Sequence, residues 1–154
     1  MKTNYAKAAT TMLYKLTEGV GLKPTKKNMI PALYLADRIA LLETGRTITR
    51  DEYLLDDGKL SMPVCERALS STRPTEKELE LASYHLSESD LDAMTEATKR
   101  IKNGFDIYSL PEFQVCEEEI APKDIVVNAG LDKETTKGLL EAVELDEFCE
   151  KIFR

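Results

Sequence analysis

The stretch ALYLADRIALLETGRTITRDEYL, Ala32–Leu54, decides the fold. From Met29 to Leu42 only Asp37 and Arg38 carry charge. A helix on a protein surface has one apolar stripe, whereas a helix apolar on nearly every side is enclosed by others. The stretch therefore predicts a central, buried helix. Asn28 is placed to cap its start, which puts Pro31 in the first turn, where a missing N–H costs little. A start at Lys26 predicts instead a kink at Pro31. Gly45 suits a left-handed stop. Beyond it, β-branched and aromatic residues ending at Asp57–Gly58 predict a short strand over Tyr53–Asp56.

The flanking sequence supplies the helices that would enclose this one. Ala6, Ala9, Leu13 and Leu16 recur at three- and four-residue steps and predict a helix over Tyr5–Glu18, ended by Gly19 and Gly21. Pro63 opens a short helix. ELELASYHL, Glu78–Leu86, alternates charged and apolar residues and predicts a second strand paired with the first. Ser87 with Asp90 three residues on marks the start of the clearest helix, whose inward stripe is Leu91, Met94, Ala97 and Ile101. Short helical segments follow around Tyr108–Phe113 and Pro122–Ala129. Asp132 caps a last helix, in which Leu139, Leu140, Val143, Phe148 and Ile152 are expected to pack inward and Gly138 is a weak point. The fold class is mainly α (α+β): a compact helical domain around a central buried helix, with a small antiparallel sheet or hairpin. The whole chain, residues 1–154, reads as one domain.

Composition narrows the function. A net charge of −7 with scattered basic residues argues against direct nucleic-acid binding, which needs a basic face. No run approaches the ~18 apolar residues of a membrane span, and MKTNYAKAATTMLYKL is not a secretory leader, so a cytoplasmic protein with no membrane partner is expected. Cys65, Cys116 and Cys149 have no ligand spacing and read as reduced thiols. Neither GxGxxG nor GxxxxGK[ST] occurs, so no cofactor is expected. His85 is the single histidine, and it reads more readily as a half-exposed strand residue than as a catalytic base. A metal-dependent hydrolase built on His85 or Glu117–Glu119 is the remote alternative. Asp37 and Arg38 differ from these, because a charge in the most apolar helix is costly unless paired. Asp37 either pairs with a cation such as Arg46 or caps nearby backbone, and so orders the fold, or else it borders a partner-binding groove.

The same stretch resembles the central signature of the Panacea domain family, also called SocA-like or phage-associated GepA-like proteins. The matching residues are Leu33-Tyr34-Leu35-Ala36-Asp37, then Gly45-Arg46, then Asp51-Glu52-Tyr53. NYAKAATTMLYKL before them and LSESDLDAM after them fall in the family's order. The resemblance covers residues 4–113, with residues 114–154 as a helical extension. The chain departs from the pattern at Pro31, where the family has lysine, and at Met62-Pro63-Val64, which stands later than the family's Gly-Pro-Val. The family's Ser-His and Trp have no counterpart. The resemblance implies no enzyme. It implies an antitoxin-like protein that neutralises a cognate toxin by direct protein binding in a toxin–antitoxin system. The alternative it offers is a proteolytic adaptor, with a cytoplasmic protease as partner, or a phage-encoded host-interaction protein. Asp37, Arg38, Arg46 and Tyr53 are the expected partner-binding residues.

Overall fold

In the computed structural model, which describes residues 2–152, the signature helix runs from Lys26 to Thr44 as α2. Met29, Ile30, Ala32–Asp37, Ala40 and Leu41 are all buried, so α2 is enclosed on nearly every side. Ile39 and Leu42, also expected inside, are partly buried and pack against the core. Thr25, rather than Asn28, is the N-cap residue; the Asn28 amide donates to the Lys23 carbonyl instead. Pro31 therefore lies inside α2 and not in its first turn, and the helix runs unbroken through it. Proline withholds a single hydrogen bond, and the enclosing core outweighs that loss.

Helix α1 (Lys2–Val20) supplies Ala6, Ala9 and Leu13 to the core and extends past the expected end. Gly19 is helical, and the stop is Gly21, at φ +75°, with Leu22 N–H donating to the Thr17 carbonyl. Strands β1 (Leu54–Asp56) and β2 (Lys59–Ser61) form an antiparallel hairpin with Leu55 opposite Leu60. Asp57 and Gly58 both have positive φ, the turn that matches strand twist in a two-residue hairpin. The expected partner strand over Glu78–Leu86 is instead helix α4 (Glu76–Ser83), after a short α3 (Pro63–Ala68). Thr75 and Glu78 form a capping box there. Leu79 and Ala82, three residues apart on one helical face, turn inward, and this prevails over the local alternation.

Helix α5 (Glu88–Lys102) begins at the expected Ser87–Asp90 box and lays Ala93, Met94 and Ala97 against α2, its main neighbour. A 3-10 turn (Ile107–Ser109), α6 (Pro111–Val115) and α7 (Pro122–Asn128) lead to α8 (Lys133–Ile152), capped by Asp132 as expected. Helix α8 buries Leu139 and Val143, but Phe148 and Ile152 point outward, contrary to expectation. The core side of its last turns is taken by Asp146 and Glu150 reaching Arg50. The described residues therefore make a mainly α molecule of eight α-helices with one small hairpin.

Candidate functional site

Four side chains of the Ala32–Leu54 stretch come together on one side of α2. Tyr34, Asp37, Arg38 and Leu41 are spaced by three or four residues, so they line up along one helix face. Opposite them lies the loop from Gly45 to Tyr53. Gly45 is at φ +80°, and its N–H donates to the Leu41 carbonyl. A Cβ added there would sit 2.4 Å from Ala142 Cβ of α8, so the turn needs glycine twice over.

Asp37 is fully buried and holds this loop to the helix. Its Oδ1 accepts from Ile48 N–H at 2.8 Å and Thr49 N–H at 2.9 Å. Its Oδ2 accepts from the Thr49 hydroxyl at 2.5 Å and the Tyr53 hydroxyl at 2.7 Å. Burial raises the carboxyl, the Thr49, Tyr53 and Ile48 donors offset part of that rise, and the group stands at about 6. Asp37 thus caps neighbouring backbone and does not pair with Arg46, whose side chain is exposed. Tyr53, at 1% exposure, lies inside as well, so neither it nor Asp37 is a surface contact.

Arg38 pairs with Glu112, a residue that the sequence did not single out. The Arg38 Nε donates to Glu112 Oε2 at 2.7 Å, and the Tyr34 hydroxyl donates to the same oxygen at 2.6 Å. Glu112 is fully buried, while the Arg38 side chain keeps 16% exposure. The Tyr34 and Tyr53 rings meet edge to face at 5.1 Å, joining the two polar clusters. Nothing around Pro111–Glu112 in the sequence marks this carboxylate, whose partner lies in a helix far away in the chain.

Arg50 was also missed. It is a non-glycine residue at φ +60°, held there by Asp146 and Glu150 of α8, with its guanidinium 5.6 Å from the Tyr5 ring centre. Asp51 accepts from Val64 N–H and Cys65 N–H and so fastens the start of α3. The segment after α6 closes the region: Ile120 N–H donates to the Tyr53 carbonyl at 2.9 Å, and Leu55 N–H donates to the Glu118 carbonyl.

Between the Gly45–Tyr53 loop, this segment and α8 lies a groove of about 180 Å³. Leu41, Ile120 and Val143 form its buried apolar floor. Glu52, Glu119 and Glu147 stand exposed on its walls, whereas Asp51, Asp146 and Glu150 are engaged inside the molecule. The arrangement gives a cationic side chain an apolar bed and an anionic rim.

The residues considered for chemistry lie apart from this groove. His85 is exposed just past the end of α4, its ring 6.2 Å from Tyr5. Cys65 is buried, and burial beside Asp37 and Asp51 pushes its thiol far above the ordinary range, away from the reactive thiolate. Among the described residues, no three of His, Cys, Asp and Glu converge as a metal site would need, and no helix is long and apolar enough to cross a membrane. Compared with known proteins, the chain matches no family model, no curated protein and no solved structure.

Proposed function

We propose that the chain is an antitoxin-like protein that neutralises a cognate toxin in the cytoplasm by direct binding, without enzymatic activity or cofactor of its own. The observation that carries this reading is the groove beside the signature loop. Its exposed walls are anionic at Glu52, Glu119 and Glu147, its floor is apolar, and its frame is fixed by Asp37, Gly45 and Arg50. A rigid acidic cleft favours a basic protein surface through complementary fields and through arginine or lysine stems laid on the floor. The resemblance of the Ala32–Leu54 stretch to the Panacea signature points to the same class of partner. Arg46, exposed between the groove-lining Gly45 and Thr47, is the signature residue with a side chain free to contact a partner. Asp37, Arg38 and Tyr53 act behind the surface by holding it in shape.

The test is co-expression with the open reading frame adjacent to its gene, read by growth and by pull-down. Toxicity of that product alone, relieved by this protein and accompanied by a stable complex, is the expected result. The half-life of the toxin separates plain neutralisation, which leaves it unchanged, from delivery to a cytoplasmic protease, which shortens it.

A further inference from the structure

Charges are sorted by sign along one face of α8, and the helix itself gives no reason for the sorting. Lys133, Lys137, Leu140, Glu141 and Glu144 recur at helical spacing and line one depression of about 560 Å³, beside Lys123 and Leu131. The two lysines stand toward the start of the helix and the two glutamates toward its end, with Leu140 between them. Like-charge neighbours three or four residues apart, here Lys133–Lys137 and Glu141–Glu144, destabilise a helix. Lys133 also stands in the first turn, where the helix dipole disfavours a cation. No ion pair among the described residues offsets these costs. None of the four charges is in one, and even Lys137 and Glu141, four residues apart and opposite in sign, do not meet. All four are exposed. Leu131, 39% exposed, and the partly buried Leu140 add apolar surface to the same depression.

The sorting selects an occupant. A uniformly basic partner meets repulsion at the lysine end, and an acidic partner or an anionic lipid surface meets it at the glutamate end. The face needs a partner with the same sorting run in the opposite direction. The same face of a second copy, turned antiparallel, has it, because two-fold pairing sets residue i against residue j and j against i. An axis between Leu140 and Glu141 places Lys137 of each copy opposite Glu144 of the other. The two resulting contacts lie about 10 Å apart along the helices, and the two Leu140 side chains meet beside the axis. We propose that this face of α8 pairs with its own copy in an antiparallel, two-fold homodimer held by reciprocal Lys137–Glu144 contacts. The pairing uses neither Glu52 nor Glu119 of the acidic groove, and the inference holds whatever that groove binds.

The experiment is sedimentation equilibrium of the full chain, which should show a monomer–dimer equilibrium. Lys137→Glu and Glu144→Lys should each raise the dissociation constant about tenfold or more, because every dimer holds the contact twice and each reversal turns two attractions into two repulsions. Both residues are exposed, so the melting curves should stay at wild type. Glu144→Lys is the sharper variant. It lowers the net negative charge of the chain, −7, and would ease association if only long-range repulsion acted. An equimolar mixture of the two variants should recover dimer of near wild-type strength, as a heterodimer in which both contacts are again opposite in sign. The double variant Lys137→Glu/Glu144→Lys should recover it as well. A chain that stays monomeric at every concentration overturns the proposal. So does a dimer that neither reversal weakens, or one that the mixture fails to recover, since Lys137 and Glu144 then do not face each other across the axis.

Discussion

The Tyr53 hydroxyl donates to Asp37 Oδ2 at 2.7 Å, and the other oxygen of the same carboxylate accepts the backbone N–H groups of Ile48 and Thr49. One buried acid therefore fixes the middle and the far end of the loop that frames the groove. Burial raises its pKa from 3.8 to about 6. Between those values the folded state holds a proton that the unfolded state has lost. Stability contributed through Asp37 therefore falls as pH rises from about 4 to about 6, by up to roughly 3 kcal/mol, and stays at the lower level above that. Urea unfolding at pH 4.5 and pH 7 should show this slope in the wild type and a flatter one in Asp37→Asn. An equal slope in both would mean that Asp37 titrates at its ordinary value.

Tyr53→Phe removes one donor from the same carboxylate and leaves a buried acceptor short of a partner. It should cost about 1–3 kcal/mol, measured by urea unfolding at pH 7, where the charge is present. Asp37→Asn should shrink that cost, because the two residues share one interaction.

Gly45→Ala strains a left-handed turn and drives a methyl into Ala142. The two effects together should cost about 2–4 kcal/mol. Ala142→Gly in the same chain should recover the steric part and leave the backbone part. Additive losses in this double-mutant cycle would show that α8 does not press on the turn.

Glu112→Ala leaves the Tyr34 hydroxyl and the largely buried Arg38 guanidinium without their shared acceptor. Breaking a buried pair from one side costs about 3–5 kcal/mol. A thermal melt close to wild type would place the Arg38 charge in solvent.

Leu33→Ala opens a cavity at the most enclosed part of α2, where Leu33 has no exposure at all. It should cost about 2–5 kcal/mol by urea unfolding.

What the sequence disclosed followed from how local each feature is. The enclosed helix was legible because its apolar residues run around the whole circumference. The Ser87–Asp90 and Asp132 caps were legible because a cap acts within three residues. The β1 strand and its Asp57–Gly58 turn were legible from turn chemistry, but the partner strand was not. Two leucines alternating with glutamates fit either period over so short a run, and the Thr75–Glu78 box was the signal that decides for helix. Asp37 stood out as a charge among apolar neighbours, and its role as a backbone cap was one of the two structural readings open. Glu112 and Arg50 did not stand out, because their partners are 74 and 96 residues away and only the fold brings them together. Phe148 and Ile152 were expected inside because they are apolar and helical, yet the inner face of α8 was already filled by the Arg50 ion pairs.

The central claim is that the acidic groove binds a basic protein partner, and charge reversal on its walls tests it most directly. Glu52→Lys/Glu119→Lys changes two exposed residues and should alter the melting temperature little, since surface substitutions away from packed features stay within about ±0.5 kcal/mol. Co-expressed with the adjacent open reading frame, the wild type should restore growth and co-purify with its product. The reversed variant should do neither, and Arg46→Ala should fall between them. Rescue and complex formation unaffected by the reversal, in a protein that melts like wild type, would contradict the account.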